Sequence, residues 1–309
     1  MKTILIIDTY GLFFRAYYAV KQEIKSPISG QINAIFGFLS SILQIIQTID
    51  HDSIIFALDA GGKGLRHELF PEYKANRSKC PEDLIPQFAL LDELLASFNV
   101  DAIKKNGLEA DDIINTLAKQ IESDQNKKSV IVTFDKDLCQ LVSQKTCIYN
   151  PKTKSFIHES DVIDIFGVKA SQISSFLALT GDAIDNIPGV PNIGKKTAIS
   201  VLKEFENIAD IYNNLEKLPI KTAKILTENQ TLADMSLSLT ELIFDPEIDI
   251  ANHNTFKKLN LQNPSQETKD FLTKHQLKSF YKRFGIDNAV TTSEKPILSE
   301  NTLQQGLLI

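Results

Sequence analysis

The sequence predicts an α/β fold: a largely parallel central sheet flanked by helices, followed by a mostly helical second domain. Three observations predict it. The apolar runs ILIID, IIFALD and VIVTFD end on Asp8, Asp59 and Asp135. Each is short and rich in Ile, Val, Leu or Phe, as buried parallel strands are. Helix-like stretches alternate with these runs, which is the pattern of a parallel sheet. From about residue 170 the strand-like runs stop and helical periodicity takes over.

The elements follow in order. A strand is expected over 3–8, a helix over about 31–49 and a strand over 53–58. A polar stretch over 60–82 leads to a helix over about 83–98. A helix from about 110, a strand over 129–134 and a short β segment near 146–150 complete the first domain, set at 1–170. SQISSFLAL, KKTAISVLKEF and FLTKHQLKSFYKRFG carry the helical pattern of the second, set at 171–287. Residues 288–309 are polar until GLLI and are expected to form a flexible tail.

With 309 residues, 43% hydrophobic and 23% charged, the composition is globular and suffices for a large core. The three cysteines, Cys80, Cys139 and Cys147, lack Cys-x-x-Cys spacing. Neither a disulfide framework nor a zinc site is expected, and a reducing cytoplasm fits. No apolar run approaches the ~20 residues that span a bilayer, so a soluble protein is expected. The net charge of −6 argues against a nucleic-acid partner only if the acids are spread evenly. Gathered at one site, they leave the remaining surface basic.

They do fall into stations. In an open α/β sheet, ligands sit outside the carboxyl ends of the strands. Asp8, Asp59 and Asp135 are expected there, and such a cluster is costly without a cation. GLEADD adds Glu109, Asp111 and Asp112 at a helix start. Capping and the helix dipole explain acids in a first turn, but three in four positions exceed that need. TFDKDL adds Asp137 and LTGDAIDNIPGV adds Asp182 and Asp185; alone, each also reads as an ordinary turn. Hard oxygen donors suit Mg²⁺ or Mn²⁺, and no histidine lies within these motifs. Nine acids favour two metals over one.

Two basic features accompany them. Residues 61–81, GGKGLRHELFPEYKANRSKCP, interleave basic residues with Phe and Tyr, which suits phosphate contact and base stacking, or a plain solvated loop. Gly189 and Gly194 precede Lys195 and Lys196 at the start of an amphipathic helix. That is a helix–hairpin–helix signal: backbone amides and lysines that meet a phosphate backbone. Its alternative is a helix connection without ligand.

Together IIDTYGLFFRAYYA, FALDA, LRHELFPEYKANR, GLEADD, TFDKDLCQL and LTGDAIDNIPGVPNIGKKTA resemble the 5′-nuclease domain of bacterial DNA polymerase I and its flap-endonuclease relatives, in order over about 3–286. The resemblance implies a PIN-like nuclease core and a 5′→3′ exonuclease and flap endonuclease acting in replication and repair. It implies that Asp8, Asp59, Glu109, Asp111 and Asp112 serve a first metal, and Asp135, Asp137, Asp182 and Asp185 a second. It places Arg66, Lys74 and Arg77 in a basic arch over about 61–85 near the scissile phosphate, with Tyr73 against DNA. It also implies K⁺ at the hairpin, RNA–DNA primers among the substrates, and a polymerase as a separate partner. Thr9 stands where glycine is common, and Ile184 where a small polar residue is common. At the end, Gln304, Leu307 and Ile309 resemble the peptide by which bacterial replication proteins engage the sliding clamp; the alternative is an apolar terminus with no partner. Two rival readings exist: an inactive DNA-junction binder of the same fold, and a phosphatase with Asp8 as nucleophile. The full acidic set speaks against the first, and Tyr10, where such phosphatases carry a second Asp, against the other.

Overall fold

The computed structural model describes residues 1–62, 64–249, 257–261 and 263–286. The tail and the clamp-like peptide at Gln304, Leu307 and Ile309 lie outside the described residues. The strands are β1 (Lys2–Asp8), β2 (Lys25–Ser26), β3 (Gly30–Gln31), β4 (Ser53–Leu58), β5 (Asp101–Lys104), β6 (Lys127–Val132), β7 (Thr146–Asn150) and β8 (Ser155–Ile157). The helices of the first half are α1 (Thr9–Ala19), α2 (Asn33–Thr48), α3 (Leu65–Leu69), α4 (Ile85–Ser97), α5 (Ala110–Ser123) and α6 (Glu159–Phe166). Those of the second are α7 (Ile173–Thr180), α8 (Lys195–Leu202), α9 (Ile208–Tyr212), α10 (Ile220–Glu228), α11 (Gln230–Thr240) and α12 (Gln266–Lys274).

The central sheet has six strands in the order β5-β4-β1-β6-β7-β8, all parallel except the β8 edge. β1 is central, with β4 on one side and β6 on the other, so the chain reverses its direction of winding there. That is the switch point at which ligands bind in open α/β sheets. Ile4, Leu5, Ile6 and Ile7 are buried on both faces, hence the unbroken apolar run.

The two faces are covered by different parts of the chain. Ile4, Ile6, Ile55 and Ile131 pack with α5 and, in the same core, with Phe176, Ala198, Val201 and Ala233 of the helical half. Leu5, Ile7, Phe56 and Val132 pack with α1, α2 and α4, and with Phe271, Leu272, Phe280 and Phe284 near the end of the chain. The sequence boundary at 170/171 assigns 266–284 to the helical domain; the structure returns this segment to the first. Phe280 meets Phe36 at 5.0 Å between ring centroids, and buried His275 is bonded to Ser26 Oγ at 3.0 Å.

The strands at 53–58 and 146–150 coincide with expectation, and the others shift by one or two residues. The sequence reading contained neither α1 nor β5. α1 follows directly on Asp8, which caps it, and holds Gly11 among aromatic residues. β5 is a four-residue, half-exposed strand. Among the described residues no single helix is long and apolar enough to cross a membrane.

Candidate active site

A cavity of about 870 Å³ opens at the switch point. Asp8, Asp59, Asp111, Asp135, Asp137, Asp182 and Asp185 line it, together with Lys74, Arg77, Lys136 and Lys195. Seven of the nine acids expected from the sequence are therefore brought together from five separate stretches.

Local structure aims each one. Asp8 ends β1 and caps α1, accepting from Gly11 N at 3.1 Å and from Thr133 Oγ1 at 2.7 Å. A Cβ on Gly11 would lie 2.3 Å from Asp8 Oδ2, so only glycine fits beside this carboxylate. Asp59 follows β4 and accepts from Ala110 N at 3.0 Å, which docks the start of α5 against the strand end. Asp111 lies in the first turn of that helix. Asp135 accepts from Asp137 N at 2.8 Å, and its own N–H donates to Thr133 Oγ1 at 2.9 Å. Asp182 and Asp185 share a turn closed by a backbone pair between Asp182 and Ile187, and Asp185 N donates to Asp182 Oδ2 at 2.9 Å.

The electrostatics show strain in this set. Burial, reinforced by Asp135 and Asp59, pushes the Asp8 carboxyl up to about 6 against hydrogen bonds from Thr133 and Gly11. Burial and the neighbouring Asp135, Asp182 and Asp185 push Asp137 up to about 7. Asp59, Asp111 and Asp135 are also raised, in each case first by burial. Confined like charges behave this way until a cation joins them. The donors are all carboxylate oxygens, which fit hard divalent ions. In the present side-chain arrangement no three described acids converge on one point. They line the wall of a cavity, a geometry suited to ions that retain several waters.

Lys74 and Arg77 enter from the basic stretch. Lys74 takes a left-handed backbone, φ 58°, and its N–H donates to Asp185 O at 2.9 Å. Its Nζ lies 2.8 Å from Glu109 Oε1 and 3.9 Å from Asp185 Oδ2. Burial alone would lower its pKa; Glu109 and Asp185 reverse that and hold it above the usual value. Arg77 donates to Asp185 Oδ1 at 2.6 Å. Residues 70–77 do not stand away from the molecule. Phe70 and Tyr73 pack with Ile187 and Leu239, and Asn186 Nδ2 donates to Glu72 O at 2.8 Å.

Four expected site residues are placed elsewhere. Arg66, read as facing the phosphate, is buried off the cavity with all five N–H groups engaged. Nη1 and Nη2 meet the two oxygens of Asp112 at 2.8 Å each, and Nη1 also reaches Glu109 Oε2 at 3.1 Å. Nε donates to Leu239 O and Nη2 to Glu241 O. Asp112, read as a metal ligand, is fully buried. It accepts from Arg66 twice, from Glu109 N and from Ile243 N, which fills its lone pairs. Glu109, read likewise, caps α5 and is held by Arg66, Lys74 and Tyr73 Oη. Tyr73, read as a DNA contact, is only 4% exposed and lies edge-on to His67.

The hairpin splits as well. Gly189 (φ 67°) is packed so tightly on the backbone of Thr180 and Gly181 that a Cβ would lie 2.3 Å from Gly181 N. It serves internal packing, not approach to a phosphate. Gly194 is exposed before α8 with nothing near its Cβ position, and Lys195 and Lys196 are exposed at the helix start. Those three form a surface open to an anion.

The sequence reading missed Lys136, which lines the cavity and has no acidic partner within ion-pair reach among the described residues. It also missed Thr133, the shared partner of Asp8 and Asp135, and the aromatic wall of Tyr10, Phe14 and Phe134, with Arg15 stacked 5.3 Å from the Phe134 ring centroid. All stood within or beside quoted motifs; for Thr133, Phe134 and Lys136 the signal was closeness to Asp135, while Phe14 and Arg15 had no acid near them in the chain.

Residues 3–167 match the family model for the 5′-3′ exonuclease N-terminal resolvase-like domain, and residues 168–267 that for the 5′-3′ exonuclease C-terminal SAM fold. A 5′-3′ exonuclease of Buchnera aphidicola subsp. Acyrthosiphon pisum is 37% identical, over 80% of this chain and 88% of its own. DNA polymerase I of Rhizobium leguminosarum is 34% identical over 80% of this chain but 25% of its own length. Among solved structures, T5 5′-exonuclease with bound divalent metal ions (zinc) has a TM-score of 0.64 at 25% identity, covering 78% of this chain and 90% of that one.

Proposed function

We propose that this chain, which belongs to the 5′-3′ exonuclease family, hydrolyses DNA phosphodiesters at 5′ ends and 5′ flaps with two divalent cations in the carboxylate cavity. Mg²⁺ is the ion proposed, with Mn²⁺ able to replace it. The observation that carries this reading is the gathering of seven acids at the switch point, five of them raised in pKa, beside exposed basic residues. When bound, the cations would supply an activated water and positive charge at the attacking and leaving oxygens.

The chain supplies the rest. Asp8, Asp59 and Asp111 form one side of the acid set and Asp135, Asp137, Asp182 and Asp185 the other. Thr133 holds the two sides in register by bonding both Asp8 and Asp135. Lys74 and Arg77 offset phosphate charge; both already sit against Asp185. Gly194, Lys195 and Lys196 grip the duplex backbone at the start of α8, with K⁺ as a further ligand of the hairpin. The proposed role is removal of RNA–DNA primers and repair flaps in the bacterial cytoplasm, beside a polymerase. The peptide at Gln304, Leu307 and Ile309 would tether the enzyme to a sliding clamp.

The test is cleavage of a labelled 5′-flap DNA in Mg²⁺, repeated in EDTA. Cleavage is expected to stop in EDTA; undiminished cleavage there overturns the reading. A pull-down with clamp, comparing the full chain with one cut after Asn301, tests the tether, and equal recovery ends that part.

A further inference from the structure

Ile184 stands between two acids of the cavity and is 72% exposed. A lone exposed isoleucine is ordinary. This one lines the cavity, and so do Ile165, 43% exposed, and Phe166 at the end of α6. Its turn is also braced. Asp182 and Ile187 exchange backbone hydrogen bonds, Asn186 is held by Glu72 O and Asn76, and Asp185 O accepts from Lys74 N. The exposure of Ile184 is therefore built in.

Phosphate has no use for an apolar wall. The part of a nucleotide that gains from one is the base, and isoleucine and phenylalanine side chains serve as wedges against base steps in other DNA-binding proteins. We infer that Ile184, with Ile165 and Phe166, forms an apolar rest for the nucleobase beside the scissile phosphate, which makes Ile184 a determinant of substrate choice. This rests on the nuclease reading above. It adds a base contact at Ile184 to the phosphate and metal contacts proposed above, across the same cavity that Tyr10, Phe14 and Phe134 line, and it predicts dependence on the presence of a base, not on its identity.

The experiment uses the full chain and Mg²⁺ on 5′-flap DNA. The substrates carry either a normal nucleotide or an abasic residue, placed in turn on each side of the cleaved bond. For the unaltered protein, one abasic position is expected to lower kcat/KM about tenfold, a typical worth for one apolar base contact. Ile184→Ser is expected to cut the normal flap about tenfold less well and to lose most of its sensitivity to the abasic residue. Ile184→Leu is expected to behave as the unaltered protein. If Ile184→Ser keeps the same ratio of normal to abasic cleavage at both positions, the inference is wrong while the nuclease reading stands. If the unaltered protein cuts no flap in Mg²⁺, the nuclease reading itself has failed.

Discussion

Asp111 and Asp112 are neighbours in the chain with opposite surroundings. Asp111 faces the cavity, where burial and the nearby Asp135 and Asp8 raise its pKa. Asp112 points the other way into the protein, where Arg66 grips both of its oxygens and two backbone N–H groups complete the set. One acid is buried among like charges, with Lys74 opposing them only in part; the other is compensated on every side. The difference separates function from architecture. A folded protein tolerates an uncompensated buried acid only at a cost, so its persistence points to a ligand that supplies the missing charge. The Arg66–Asp112 pair instead joins α5 to the carbonyls of Leu239 and Glu241 at the end of α11, tying the helical half to the sheet.

The widest separation should come from breaking the compensated pair. Asp112→Ala leaves the Arg66 guanidinium buried and unpaired, with an expected loss of about 3–5 kcal/mol in stability. Chemical denaturation measures it. Arg66→Ala should cost a similar amount, and the two changes together should cost less than their sum. Additive losses would mean the pair is not a unit. Asp111→Asn should do the reverse: cleavage of a 5′ flap falls by roughly 10²–10³-fold, while the melting temperature in EDTA stays level or rises. A melting temperature that falls by as much as for Asp112→Ala would erase the contrast.

Next comes pH. In metal-free protein, Asp8 keeps its proton up to about 6 and Asp137 up to about 7, against 3.8 for the unfolded carboxyl. Between those values the folded state binds more protons than the unfolded one, so stability is full below about pH 4 for these groups and is lost as pH rises to 7. The rise of Asp8 alone, from 3.8 to about 6, corresponds to roughly 3 kcal/mol. Melting temperatures in EDTA are expected to be higher at pH 5 than at pH 8, and saturating Mg²⁺ should shrink the gap. A gap unaffected by Mg²⁺ would place the cation elsewhere.

The strand-end acids were legible in the sequence because a buried parallel strand announces its end, and the sheet delivers that end to the switch point. Asp111 and Asp112 were not separable. Consecutive helical residues point about 100° apart, and which one faces the cavity depends on how α5 docks on the sheet through Asp59 and Ala110. Arg66 looked like a phosphate contact because its carbonyl partners lie 173 and 175 residues away in the chain. α1 escaped notice because Gly11 and a run of aromatic residues weaken its helical pattern, and its capping acid had been read only as a ligand. Gly189 and Gly194 carried the same local signal, and only the packing against Gly181 tells them apart.

That pair of glycines frames the mildest prediction. Lys195 and Lys196 are exposed, are expected to meet phosphate, and have no ion-pair partner to lose among the described residues. Replacing both with alanine should weaken binding of duplex DNA about tenfold near physiological salt and reduce the slope of log affinity against log salt by roughly 2, with kcat nearly unchanged. Gly194→Ala should leave the fold intact, since nothing lies within 4 Å of the new Cβ. Gly189→Ala should lower the melting temperature by forcing residue 189 away from the backbone of Thr180 and Gly181. Binding titrations at several salt concentrations read the lysine effect directly. An unchanged salt slope would move the duplex contact away from α8, and the basic surface of the hairpin would then need another account.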